Sequence, residues 1–181
     1  KLNNQVAVVT GAGRGIGRGI AETFAKEGAK VVIATLKEDE GQETLQIVRG
    51  VGAEAIVVQT NVADETSVKA MVAKTLETYG RIDTLVNNAG ITLFKPLFDA
   101  TLEDWELIIG VDLKGVFLCS KYAGAEMQKQ GGSIINISSN HALASFPDAD
   151  IYAAAKAGVN GMTRAMATSL GKYGIRVNVI M

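Results

Sequence analysis

The sequence predicts an α/β fold: one doubly wound parallel sheet with helices on both faces and strand order 3-2-1-4-5-6. Three observations lead there. Short β-branched apolar runs alternate strictly with helical stripes along the whole chain. A glycine-rich turn sits between the first apolar run and the first helical stripe. Right-handed crossovers between successive parallel strands then leave the doubly wound order. With 181 residues, 48% apolar and 20% charged, the chain forms one domain, residues 1–181, with a sizeable core.

Each element has its own signal. Val6-Ala-Val-Val9 reads as a buried first strand. Ile16, Ile20 and Phe24, apolar at steps of four, read as one face of the first helix. Val31-Val-Ile-Ala34 is the second strand, after the turn residue Gly28, and a polar run from Lys37 leads a helix through about Val51. Ala55-Ile-Val-Val58 is the third strand. Asp64 is placed to cap a helix whose stripe is Val68, Met71, Val72, Thr75, Leu76 and Tyr79, and Gly80 ends it. Thr84-Leu-Val-Asn87 is the fourth strand. Thr101 with Asp104 resembles a capping box and opens one long helix through about Gln128. Gly131 and Gly132 precede the fifth strand, Ser133-Ile-Ile-Asn-Ile137. Asp150 to about Lys172 reads as a helix with Gly174 as its stop, and Arg176-Val-Asn-Val-Ile180 as the sixth strand.

Composition narrows the function classes. A formal net charge of −1 provides no general pull toward nucleic acid or an anionic membrane surface. No apolar run approaches a membrane span. Lys1-Leu-Asn-Asn4 does not read as a signal peptide, and Cys119, the only cysteine, allows no internal disulfide and reads as a small buried hydrophobe. A cytoplasmic protein without a bound metal is expected.

The chemistry belongs at the carboxyl ends of the strands, where open α/β sheets bind ligands. Thr10-Gly-Ala-Gly-Arg-Gly-Ile-Gly17 spaces Gly11, Gly15 and Gly17 as G-x-x-x-G-x-G. Glycine lets the backbone turn tightly and approach a phosphate, and the helix N-terminus behind it favours the anion. Tyr152 and Lys156 lie at i and i+4, on one helix face. An ammonium beside a phenol favours the phenolate, so such a tyrosine can serve as a general acid or base toward an alcohol or carbonyl. Spacing alone favours a plain surface Tyr–Lys contact, and two further features shift the reading. Asn136-Ile-Ser-Ser139 ends the fifth strand just before this helix and can bring a serine hydroxyl to the same pocket. Asn87-Asn-Ala-Gly90 ends the fourth strand with a small-residue turn that leaves room for a flat ring.

Together these segments, with Ser139 thirteen positions before Tyr152 and the ending Ile175-Arg-Val-Asn178, resemble the short-chain dehydrogenase/reductase family. The resemblance spans the chain and is nearest to the 3-oxoacyl-acyl-carrier-protein reductase and glucose-dehydrogenase-like branches. It implies a Rossmann-like oxidoreductase that moves a hydride between a nicotinamide cofactor and a secondary alcohol or ketone. It further implies that Tyr152 exchanges the proton with the substrate oxygen and that Ser139 hydrogen-bonds that oxygen. Lys156 supports the tyrosine and holds the nicotinamide ribose, while Ser138 is structural. The implied cofactor contacts are Gly11, Arg14, Gly15, Ile16, Gly17, Thr35, Lys37, Asn61, Val62, Asn88, Ala89, Gly90, Tyr152 and Lys156. NADP(H) is expected over NAD(H), which remains possible. The second strand ends in Thr35-Leu-Lys37 with no carboxylate for a ribose 2′-hydroxyl, and Arg14 adds a base inside the glycine turn. Glu38 and Asp39 are the nearest acids able to swing in.

Three departures from the family pattern stand out. Val111-Asp-Leu-Lys-Gly115 puts Asp112 where the family usually has an asparagine serving a proton relay, and a carboxylate there competes with Tyr152 for Lys156. Ala155 replaces a common serine, with little consequence expected. The family pattern continues past the sixth strand with a substrate lid and a seventh strand, which a chain ending at Met181 lacks; together with a start at Lys1 this reads as a processed, trimmed or partly observed protein. Such a chain is expected to be a homo-oligomer, a dimer or tetramer, that binds NADP(H) and reduces ketones feebly. His141 can face the substrate or serve a local hydrogen bond. Phe94, Phe98, Trp105 and Phe146 are pocket candidates, with Phe146 favoured and Trp105 read as packing against core or a neighbouring subunit. Two other readings are a non-catalytic nucleotide-binding module and an oligomerising fragment.

Overall fold

Every residue of β1 (Val6–Thr10) is buried. A parallel strand covered by helices on both faces has no solvent side, so its sequence is a continuous apolar run. The computed structural model describes residues 1–181 and sets this strand inside a six-stranded sheet. β2 (Lys30–Thr35), β3 (Ala55–Gln59), β4 (Thr84–Asn87), β5 (Gly132–Ile137) and β6 (Ile175–Ile180) are all parallel to β1, in the order β3-β2-β1-β4-β5-β6. This is the order that the alternation predicts.

Alternate residues of β1 feed opposite cores, as the two-residue period of a strand requires. Ala7 and Val9 pack with Ala21 and Ala25 of α1 (Gly15–Lys26) and with Leu45 and Val48 of α2 (Glu38–Gly50). Val6 and Val8 pack with Val68, Met71 and Val72 of α3 (Glu65–Tyr79) and with Leu118, Cys119 and Ala123 of a later helix. Cys119 is wholly buried there, and burial pushes its thiol up to about 12, so it serves as a small inert core residue. The predicted caps are in place. The Asp64 carboxylate accepts the N–H groups of Thr66 and Ser67, and Gly80 closes α3 with a φ of 75°. Thr101 and Asp104 form a reciprocal capping box at the start of α4 (Leu102–Ile109).

Three local expectations are corrected. Ile16 is 69% exposed, and the buried face of α1 is Gly17, Ala21 and Ala25. The close approach of α1 to the sheet suits small residues, and Ile16 is turned to the ligand end instead. The single long helix predicted from Thr101 to Gln128 is two helices. α4 stops at Ile109, a π-helical turn occupies Gly110–Lys114, and α5 runs Gly115–Met127. α6 (Asp150–Leu170) ends two residues earlier than predicted, passing through a 3-10 turn at Gly171–Tyr173 before Gly174. No helix is long and apolar enough to cross a membrane.

Candidate active site and cofactor cavity

The carboxyl ends of β1, β2 and β4 open into a cavity of about 380 Å³. Gly11 and Gly15 take φ values of 64° and 55°, in the left-handed region where a side chain is strained. A Cβ on Gly17 would collide with the Gly11 carbonyl and the Asn88 amide, whereas the space beside Gly15 is open. α1 begins at Gly15 with no side-chain cap, so its first N–H groups lie at the cavity without a competing partner. An open-walled glycine turn leading into an uncapped helix suits a pyrophosphate.

The turn is held from several sides. Arg18 donates from Nε to the Gly13 carbonyl at 3.0 Å, and the Thr44 hydroxyl of α2 donates to the Ala12 carbonyl at 3.0 Å. The Thr10 hydroxyl accepts the N–H groups of Asn88 and Ala89 at 3.0 and 3.1 Å, and Asn88 Nδ2 donates to the Thr10 carbonyl at 2.9 Å. Every expected cofactor contact from Gly11 through Gly90 lines this one cavity. Leu36, Glu40, Thr60, Ile91 and Val111 line it too and were not anticipated. Glu40 matters most among them: its carboxylate is 3.2 Å from Lys37 and 3.8 Å from Arg14. Glu38 and Asp39, the acids nearest β2 in sequence, are exposed and line no part of it.

Tyr152 and Lys156 project from α6 at the far side of the β4 turn. Lys156 is only 5% exposed, with its Nζ 5.5 Å from the Tyr152 ring centroid. That Nζ donates to the Ile137 carbonyl at 3.2 Å and lies 3.0 Å from Asp112 Oδ2. Asp112 is fully buried, and its Oδ1 accepts the Ile91 N–H at 2.8 Å. A Cβ on Gly90 would approach Asp112 Oδ2 to 2.9 Å and Lys156 Nζ to 3.3 Å, so this pair borders the cavity through the β4 turn. The carboxylate sits there because residue 112 falls in the π turn, which adds a residue to the helical turn and re-aims the side chain.

Burial pushes the Asp112 carboxyl above its ordinary value of 3.8, while the Lys156 ammonium and the Ile91 N–H pull it the other way. A carboxyl raised in the folded state holds its proton more tightly there than when unfolded. Its stabilising contribution is therefore present below the unfolded value and lost as pH rises through the folded one. Asp112→Asn removes that titration. In denaturant melts from about pH 3 to pH 7, wild type should lose stability relative to the variant as pH rises through this window. A difference that grows in the opposite direction would mean that the pairing with Lys156 outweighs burial.

Ser139 caps the 3-10 turn Asn140–Ala142: its Oγ accepts the His141 N–H at 3.2 Å and donates to Asn140 Oδ1 at 3.1 Å. Ser138 is buried and donates to the Lys156 carbonyl at 3.1 Å, a contact that ties β5 to α6. Asn87 Nδ2 donates to Asn136 Oδ1 at 2.8 Å, and Asn136 Nδ2 to the Thr163 hydroxyl at 2.8 Å, extending the tie from β4 to α6. His141 packs its ring edge-on to Tyr152 at 5.5 Å and to Phe146 at 5.2 Å, with Phe94 at 6.0 Å. Its Nδ1 is 3.1 Å from the Ser145 hydroxyl. Phe98 is 99% exposed and Trp105 44% exposed, and neither joins this aromatic cluster.

A sequence profile of the short chain dehydrogenase family matches residues 5–181. An oxidoreductase of Thermotoga maritima whose reaction is uncharacterised is 49% identical over 177 residues, covering 97% of this chain and 69% of the relative. A 3-oxoacyl-[acyl-carrier-protein] reductase of Synechocystis is 43% identical over 182 residues, covering 99% of this chain and 73% of its own. The crystal structure of a protein from Sinorhizobium meliloti assigned as a short-chain alcohol dehydrogenase superposes with a TM-score of 0.96 at 36% identity. That superposition covers 99% of this chain and 71% of the other.

Proposed function

This chain belongs to the short-chain dehydrogenase family, and from that premise we propose that it interconverts a secondary alcohol and a ketone with NADP(H) as the preferred cofactor. The observation that carries the reading is the meeting of two sites at Gly90. The glycine-turn cavity ends there, and the buried Lys156 beside Tyr152 begins there. The cofactor, when bound, supplies or accepts the hydride. In the reduction direction the Tyr152 hydroxyl gives its proton to the substrate oxygen, and in oxidation it takes that proton back. Ser139 donates to the same oxygen when its hydroxyl turns away from Asn140 Oδ1, its partner in this structure, and the Lys156 ammonium stabilises the charge left on Tyr152. Phe94, His141 and Phe146 make the substrate side largely aromatic. Leu102, Trp105 and Leu107 on α4 and Phe117 on α5 are exposed apolar side chains, which supports the expected homo-oligomer.

The NADP(H) preference rests on Arg14 and Lys37 beside the end of β2, cations suited to a 2′-phosphate. Titrations should show NADPH binding more tightly than NADH, with the margin shrinking as salt is added. Tighter binding of NADH would reverse the assignment. One observation favours a non-catalytic nucleotide-binding module instead: Asp112 already occupies Lys156 at 3.0 Å. A carbonyl-reduction assay alongside cofactor titration separates the two, since only the oxidoreductase consumes NADPH when a ketone is added.

A further inference from the structure

We propose that Glu40 sets the cofactor ratio by occupying the cations that a 2′-phosphate would need, so that the preference for NADP(H) is held narrow. The inference rests on the reading of the cavity as a dinucleotide site. Glu40 is the third residue of α2, and Lys37 is the N-cap of the same helix. Its two carboxylate oxygens are divided between two partners: Oε1 lies 3.2 Å from Lys37 Nζ and Oε2 lies 3.8 Å from Arg14 Nε. The cations are mostly exposed, at 64% and 79%, while the Glu40 side chain is 23% exposed. The carboxylate is thus the better fixed member of the group.

Packing holds it there. A Cβ on Gly13 would come within 2.9 Å of Glu40 Cβ and 3.3 Å of its Oε2, so α2 lies directly against the glycine turn. Thr44 and Arg18 fasten that turn to α2 and α1 from the same side. A helix N-terminus favours acids in general, but the exposed Glu38 and Asp39 already serve that role in this first turn. Glu40 differs from them in lining the cavity.

A phosphate entering between Arg14 and Lys37 meets a carboxylate of like charge and must break its two pairs. A ribose hydroxyl does neither, and can donate to the carboxylate as it stands. Exposed ion pairs are each worth little, so the effect is bounded. Glu40→Gln keeps the shape and the packing against Gly13 while removing the charge. By calorimetry on the whole chain, 2′,5′-ADP should bind the variant about five- to tenfold more tightly than wild type. Binding of 5′-ADP, which lacks the 2′-phosphate, should stay level or weaken. The gain should also fade in high salt.

The alternative role has the opposite sign. If Glu40 holds Arg14 and Lys37 in place for the phosphate, the variant binds 2′,5′-ADP more weakly, and the proposal is overturned. An unchanged constant for 2′,5′-ADP with normal 5′-ADP binding overturns the proposal alone. Failure of both nucleotides to bind wild type and variant overturns the dinucleotide reading of the cavity, and this inference with it.

Discussion

Tyr152→Phe is expected to lower the carbonyl-reduction rate by about 10²–10⁴, the usual worth of a positioned general acid or base. NADPH binding should barely change. The ring is kept, and with it the edge-on contact to His141 and the position under the Lys156 ammonium. What is lost is the one proton that the proposal sends to the substrate oxygen. The loss should fall on kcat more than on KM, since the hydroxyl acts in the transition state. Steady-state rates with a cofactor fluorescence titration check both halves. A variant retaining more than about a tenth of the rate would remove Tyr152 from the acid–base role.

Lys156→Ala is expected to be worse, because it damages chemistry and fold together. Lys156 is 5% exposed and Asp112 is fully buried, at 3.0 Å from each other. Removing one member of a buried pair strands the other, at a cost of about 3–5 kcal/mol. Asp112 keeps only the Ile91 N–H as a partner. Its carboxyl, already raised by burial, loses the ammonium that was pulling it down, and rises further. By the same linkage as before, the instability should grow as pH rises toward neutral and ease on acidification. Cofactor affinity should fall as well, since the lysine borders the cavity at Gly90.

A cycle of variants separates the two losses. Lys156→Met keeps volume but strands Asp112; Asp112→Asn alone leaves the ammonium among neutral partners. The double variant removes both charges and should recover most of the stability lost in Lys156→Met, yet stay inactive. Thermal or denaturant melts read the first result, and reduction rates the second. Equal stability of Lys156→Met and the double variant would show that the two charges are not coupled.

The strands, the glycine turn and the caps at Asp64, Gly80 and Thr101 were legible in the sequence because each is local, and the sheet order followed from strict alternation with right-handed crossovers. A buried parallel strand is an apolar run, a left-handed turn favours glycine, and a cap needs an oxygen within three residues of a free N–H. Twelve of the residues that line the cavity between Gly11 and Gly90 were implied by the family resemblance of those motifs, which sit at or just past strand ends. Three things were decided only by the tertiary structure. Ile16 matched a helical stripe, but α1 packs through Gly17, Ala21 and Ala25, so the larger side chain is turned outward. A fixed helical period carried through residues 101–128 cannot register a π turn, and that turn is what aims Asp112 at Lys156. Glu40 sits 26 residues from Arg14 in sequence, and its approach to the glycine turn depends on how α2 lies across the sheet. A pairing of charges between separate elements leaves no periodic trace in the chain; it exists only where packing brings the elements together.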